Sequence, residues 1–275
     1  MKLFISGGRG RLGSKIVDYL KDRYTVLYPG RKELDLTFFQ KVMAYFIEEK
    51  PDIIIHTAAF TNVDKCEEDR DRAYRENILA TLYLKNAAEY LNIPLVYFST
   101  DYVFDGLKTT PYREYDKTVP VNYYGTTKLA GEEIVKTLKD FVILRVSLLF
   151  GSGNDFITYV LKSILSDKEI TVFTDHIGSP TNILDIAKAL DIILNNFLSG
   201  IYHLVNRGAF SYIDIVNICE SILKKKALIR FSERNGAKRP YYTSLSTELI
   251  ENVFGITMKN SGEAIEDYIS SYIKD

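Results

Sequence analysis

Five short apolar runs, "KLFIS", "TVLY", "DIIIH", "PLVYFS" and "FVILRVS", recur through residues 1–150 with little polar alternation inside them. Consecutive apolar positions of that length predict strands buried on both faces. Between them, apolar residues fall at helical spacing over residues 12–21, 38–49, 70–91 and 124–138. Strand and helix alternate, which predicts a parallel sheet with helices on both faces. After residue 150 the rhythm loosens, with helical spacing over 156–165, 183–197, 212–224 and 262–273 and short strands such as "ITVF" and "IYHLV". The longest polar connection, residues 105–122, has the length of a binding lid.

Composition narrows the classes of function. The chain has 275 residues, with 35 Lys+Arg against 36 Asp+Glu. That balance gives no global field to draw it to nucleic acid or to an anionic membrane, so an anionic ligand has to be bound locally. No run approaches the roughly 18 apolar residues of a membrane span, and "MKLFISGG" is too short for the apolar core of a signal peptide. Cys66 and Cys219 match no metal or redox spacing and read as free thiols, which fits a reducing, cytoplasmic setting. His56, His176 and His203 are isolated, and no metal site emerges.

The glycines of "FISGGRGRLG" stand at the junction between the first strand and the first helix. Gly7, Gly10 and Gly13 are three apart there, and Gly8, Gly10 and Gly13 also satisfy the G-x-G-x-x-G form. Glycines at such a junction let the backbone turn tightly and approach a pyrophosphate, while the helix N-terminus attracts its charge. The pattern predicts a Rossmann-like dinucleotide-binding domain. Where an acid would hold the ribose 2′-hydroxyl, the chain has Tyr28, Pro29 and Gly30, followed by Arg31 and Lys32. With Arg9, Arg31 favours a 2′-phosphate and hence NADP(H), with NAD(H) as the alternative.

"NYYGTTKLAGE" raises the question of chemistry. Tyr124 and Lys128 are four apart on a predicted helix and share a face, whereas Pro29 and Gly30 break any helix between Tyr28 and Lys32. An ammonium beside a phenol stabilises its phenolate and makes it a better general acid for a carbonyl that receives hydride. Thr100 lies just past the end of "PLVYFS", at the sheet edge where ligands of open parallel sheets bind.

Together, "GGRGRLG", "ELDLTF", "PDIIIHTAAFTNVDKCEED", "STDYVFDG", "PVNYYGTTKLAGE", "RVSLLFGSGNDF", "DHIGSPT", "GIYHL" and "KRPYYTSLST" resemble the dTDP-4-dehydrorhamnose reductase family of the extended short-chain dehydrogenase/reductases. The resemblance covers most of the chain. It implies a doubly wound α/β fold, with an NAD(P)-binding domain at 1–150 and a smaller, mainly substrate-binding lobe at 151–275 whose segments return to the core. It further implies hydride transfer from NAD(P)H to the C4 ketone of a nucleotide-linked 6-deoxysugar. Tyr124 would protonate the alkoxide, Lys128 would favour the tyrosinate and bond the nicotinamide ribose, and Thr100 would help hold the carbonyl oxygen.

The same resemblance gives the cofactor contacts as Gly7, Gly10, Arg11, Leu12, Gly13, Arg31, Asp35, Leu36, Ala58, Ala59, Phe60 and Ser99, with Tyr124 and Lys128. Val63, Thr100, Asp101, Leu148 and Arg239 would face the substrate, Arg239 through its diphosphate. Two departures bear on the substrate. Leu148 stands where relatives often carry a tryptophan, and "RPYYTSL" puts Tyr242 and Thr243 at the Asn and Ser positions of Arg-Pro-x-Asn-Ser-x-Leu. The family also contains NADP-binding regulatory subunits of methionine adenosyltransferase, against which the intact Thr100, Tyr124 and Lys128 set favours an enzyme. Some members are dimers, so a homodimer is compatible with the resemblance, though no stretch identifies an interface. Asn77 reads either as a support of the active site or as a plain helix asparagine.

Overall fold

Why the apolar runs lack alternation is plain once their two faces are seen. In the computed structural model, which describes residues 1–153 and 155–273, the first half runs β1 (Lys2–Ser6), α1 (Arg11–Leu20), β2 (Thr25–Leu27), α2 (Phe39–Glu49), β3 (Ile53–His56), α3 (Val63–Glu68), α4 (Arg70–Ala73), a π-helical turn (Tyr74–Leu79), α5 (Ala80–Leu91), β4 (Leu95–Thr100), a 3₁₀ turn (Asp101–Val103), α6 (Tyr123–Val135) and β5 (Phe141–Val146). The second half adds β6 (Leu149–Phe150), α7 (Phe156–Leu165), β7 (Glu169–Phe173), β8 (Ile177–Gly178), β9 (Thr181–Asn182), α8 (Ile183–Asn195), β10 (Gly200–His203), β11 (Phe210–Ser211), α9 (Tyr212–Leu223), β12 (Leu228–Ser232), α10 (Glu248–Phe254) and α11 (Ser261–Tyr272). Asn154, inside the "RVSLLFGSGNDF" motif, and residues 274–275 of the expected second domain lie outside the described residues.

Six strands form one parallel sheet in the order β10-β5-β4-β3-β1-β2. Leu3, Ile5, Ile55, Val96 and Leu144 pack on α1 and α8 through Ile16, Leu20, Ile186 and Leu190. The alternate residues Phe4, Ile54, Tyr97 and Ile143 pack on α2 and α5 through Val42, Phe46, Leu84 and Ala88. Both faces are therefore dry, the condition that makes parallel strands apolar throughout. The strand order reverses between β1 and β3, and at such a switch point the loops leaving the carboxyl ends diverge and open a crevice.

β10 comes from the second half and pairs with β5, so the later chain returns to the sheet. A separate core joins β7 to α7, α9 and α11 through Ile170, Leu161, Val216 and Ile265. The long connection 105–122 is fastened rather than free. Tyr112 is buried and stacks on Phe104 at 4.2 Å, and its backbone bonds to Ser244 and Ser246 at 2.8 Å each. Its polar composition hid one aromatic anchor.

The stretch 70–91, which periodicity joins into one helix, is α4, a π turn and α5 in succession. Asp69 starts it by accepting from the Arg72 N–H at 3.0 Å, which separates it from α3.

Candidate active site

The glycine turn closes on itself at the end of β1. Gly7 has φ +67°, and a Cβ on Gly13 would sit 2.2 Å from the Gly7 carbonyl oxygen, so α1 can approach the strand only with glycine there. Gly10 caps α1 without a side-chain acceptor, which leaves the first helical N–H groups for an anion. Leu12 is buried beneath the turn. Arg11 reaches the other way, donating to the Leu149 carbonyl at 2.8 Å and to Ser152 Oγ at 3.2 Å.

Across the crevice, Ser6 Oγ accepts from the N–H groups of Thr57 (3.1 Å) and Ala58 (3.2 Å) and lies 2.7 Å from His56 Nδ1. Its hydrogen is thus left for that nitrogen. His56 Nε2 then donates to Thr81 Oγ1 at 3.0 Å, and Thr81 donates to the Asn77 carbonyl at 2.6 Å. Both ring nitrogens of His56, isolated in the sequence, are thus satisfied within the protein. The chain leaves β3 through Ala58 and Ala59, two small, partly exposed residues, to Phe60.

Asn77 fixes that passage. Its Oδ1 accepts from the Phe60 N–H at 2.7 Å, and its Nδ2 donates to the Phe60 carbonyl (3.1 Å) and to Thr127 Oγ1 (2.9 Å) on α6. The residue the sequence left open is thus a buried link between the crevice floor and the helix of Tyr124 and Lys128.

At the outer end both arginines already have acidic partners. Arg9 forks onto Glu33, and Arg31 pairs with Glu76 at 2.8 Å and with Asp35 at 3.5 Å. Asp35 also accepts from the Thr37 N–H and hydroxyl, and Leu36 is partly exposed beside it.

Asn122 caps α6 by accepting from the Gly125 N–H at 2.8 Å. A Cβ on Gly131 would lie 2.2 Å from the Tyr97 hydroxyl, so α6 rides close on β4. That closeness brings Tyr124 beside Thr100 and puts Lys128 Nζ 4.0 Å from the centre of the Tyr97 ring. Tyr124 is partly exposed. Loss of water raises its phenol well above the ordinary value, while the neighbouring Thr100 hydroxyl opposes the shift. Burial pulls Lys128 down to about 7, against the pull of Glu132 one turn on.

Glu132 is itself buried, forked onto Arg145 at 2.9 and 2.8 Å, and accepts from Ser99 Oγ at 2.6 Å. The Ser99 hydroxyl is therefore committed within the protein. The same holds for Asp101, whose carboxylate accepts from the hydroxyls of Thr100 (2.9 Å), Ser147 (2.6 Å) and Thr243 (2.6 Å). Burial raises its pKa and those three bonds lower it again. Thr100 spends its one hydrogen on Asp101, so to hold a carbonyl oxygen it has to turn from that carboxylate. Thr243 keeps the hydroxyl that the family's serine would supply, and receives His176 Nε2 at 2.9 Å.

On the substrate side Val63 opens α3, partly exposed, and the neighbouring Asp64 forks onto Arg239 at 2.7 Å to each oxygen. Arg239 holds Asp64 down to about 2. The Nε of Arg239 has no partner among the described residues, nor has His176 Nδ1. Arg234, unmarked by any sequence pattern, lies 4.4 Å over Phe173 and 5.2 Å over Tyr212, and its charge reaches Asp64, Tyr102 and His176. Leu148 has φ +40°, a conformation that bulky residues rarely adopt outside strained, functional turns. No cluster of His, Cys, Asp and Glu suited to a metal occurs among the described residues.

Known proteins resemble this chain over most of its length. The sequence profile of the RmlD substrate binding domain matches residues 1–273. The spore coat polysaccharide biosynthesis protein SpsK of Bacillus subtilis is 36% identical, over 98% of this chain and 96% of that protein. The dTDP-4-dehydrorhamnose reductase of Aggregatibacter actinomycetemcomitans is 34% identical, over 97% of each. Among solved structures, the dTDP-4-dehydrorhamnose reductase of Bacillus anthracis in complex with NADP superposes with a TM-score of 0.92 at 32% identity, covering 98% of this chain and 99% of that one. By its crevice, its motifs and these matches along its whole length, the chain belongs to the RmlD substrate-binding-domain family, the dTDP-4-dehydrorhamnose reductase family its motifs resemble.

Proposed function

We propose that the protein is an NAD(P)H-dependent reductase that converts the 4-keto group of dTDP-4-dehydro-L-rhamnose to the alcohol of dTDP-L-rhamnose. The observation that carries this reading is Tyr124 and Lys128 on one face of α6, with Thr100 beside the phenol, at the sheet edge next to the glycine turn. The turn fits a dinucleotide: Gly7, Gly8 and Gly13 leave no room for a side chain and α1 offers uncapped N–H groups. Gly7, Gly10, Arg11, Leu12 and Gly13 would hold the diphosphate. Asp35, Leu36 and Arg31 would meet the adenosine, and Ala58, Ala59, Phe60 and the Ser99 backbone would floor the site.

The bound nicotinamide supplies the hydride to the ketone carbon. Tyr124 gives its phenolic proton to the ketone oxygen, and the Lys128 ammonium stabilises the phenolate left behind. Lys128, brought down to about 7 in the free protein, would be raised and kept charged by the negative charge of a bound cofactor. Thr100 orients the phenol while Asp101 holds Thr100. Val63, Leu148 and Arg239 would line the nucleotide-sugar side, with Arg239 exchanging Asp64 for a diphosphate. The buried thiols Cys66 and Cys219, and the absence among described residues of any helix long and apolar enough to cross a membrane, support a cytoplasmic setting.

The test is cofactor consumption with dTDP-4-dehydro-L-rhamnose beside its UDP analogue, with the product sugar identified. Tyr124→Phe is expected to lower kcat by about 10²–10⁴-fold while NADPH still binds. Normal turnover by that variant would remove the acid assignment. Inactivity of the unaltered protein on every nucleotide sugar, with co-purification of a synthetase, would favour the regulatory reading.

A further inference from the structure

Glu76 stands on the π turn with its side chain 17% exposed, and its Oε1 accepts from two arginines at once, Arg31 Nη1 at 2.8 Å and Arg72 Nε at 2.8 Å. With Thr37, Asp69 and Arg75 these side chains line an open cavity of about 260 Å³. The Arg72 guanidinium also lies 4.1 Å over the ring of Phe60, which joins this cavity to the floor of the cofactor crevice. We propose that Glu76 sets the choice between adenosine cofactors with and without a 2′-phosphate, by occupying the arginines that such a phosphate would need. The proposal rests on the dinucleotide reading above.

The argument is one of charge and geometry. A carboxylate and a phosphate are alternative partners for the same planar guanidinium. Arg31 and Arg72 bring two positive charges to this corner, and Glu76 and Asp35 return two negative ones. A 2′-phosphate has either to displace Glu76 or to share the arginines with it at short range, and both weaken its binding. A 2′-hydroxyl meets no such conflict and can donate to a carboxylate. Glu76 thus supplies the acid missing at the end of β2, where Tyr28, Pro29 and Gly30 stand, from 45 positions beyond Arg31. The second pair, Arg9 with Glu33, is a weaker competitor because the Glu33 side chain is 55% exposed where that of Glu76 is 17%.

Calorimetric titration with adenosine 2′,5′-bisphosphate and with 5′-AMP tests this without turnover or a sugar nucleotide. Glu76→Gln is expected to tighten the bisphosphate about tenfold and leave 5′-AMP within about twofold, and Glu33→Gln to move their ratio by about twofold at most. An equal shift for both ligands, or no gain for the bisphosphate, overturns the proposal. Arg31→Gln, at an exposed position, guards against a Glu76 variant that does not fold. It is expected to lose the bisphosphate about tenfold, and unchanged affinity there also overturns the proposal. Loss of the proposed reductase activity would leave these titrations standing, whereas failure of the unaltered protein to bind either mononucleotide would remove the dinucleotide reading and this inference together.

Discussion

Lys128 is the residue whose environment says most about the proposed chemistry, since its ammonium is needed just where burial disfavours it. It is 3% exposed, brought down to about 7, and its nearest acidic influence is Glu132, already forked onto Arg145. The proposed reduction uses the charged form, which in the free enzyme predominates below about 7 and is lost above it. The expected kcat/KM for the cofactor, which reports free-enzyme ionisations, is level below that pH and falls up to tenfold per unit above it. A profile flat to pH 9 would take Lys128 out of that role. Asp101 is the companion case. Asp101→Asn replaces one acceptor oxygen by an amide donor facing hydroxyls that themselves donate, so stability should drop by about 1–3 kcal/mol in urea titration. The kcat should fall as well, because Thr100 loses its orientation. The tyrosine and lysine were legible in the sequence because helical spacing is a local rule. The hydroxyl donors of Asp101 were not, since Ser147 and Thr243 lie 46 and 142 positions away.

At the level of elements, the strands and most helices could be read from periodicity, because each buries a continuous face on the sheet. The π turn could not, since a stretch of 6 residues is too short to show a period of its own inside the helical pattern of 70–91. Yet this turn carries both Glu76 and Asn77, so the piece of backbone that periodicity misses is the one that joins the two ends of the cofactor crevice. Asn77→Ala leaves the Phe60 N–H and the Thr127 hydroxyl short of a buried partner. It should lower stability by about 1–3 kcal/mol and raise the KM for NADPH more than it lowers kcat, because what it loosens is the crevice floor. Steady-state kinetics beside a urea melt distinguish this from a purely structural loss, which would lower stability and leave KM unchanged. The anchor of 105–122 was hidden for a similar reason: one buried aromatic, Tyr112, stands among polar neighbours, and composition averages it away.

Across the whole molecule, the three histidines that sequence left as isolated turn out to share one property. His56, His176 and His203 are all buried and all brought down to about 3, chiefly by burial, helped by Lys128 for the first, by Arg234 and Arg239 for the second and by Arg145 for the third. In the unfolded chain each takes a proton near 6.5, so as pH falls below that value the unfolded state binds protons that the native state refuses. The stability held above 6.5 is therefore lost progressively toward 3. Between pH 7 and 5.5 the loss comes to about 1.2 kcal/mol for each histidine and roughly 4 kcal/mol for the three, a large share of the 5–15 kcal/mol of a typical domain. Asp101 and Glu114, whose pKa values burial raises, act in the opposite sense and trim this loss. The urea midpoint should accordingly fall clearly between pH 7 and 5.5, before most carboxylates titrate. A midpoint that stayed constant over that interval would mean that these imidazoles take up protons in the native protein despite their burial.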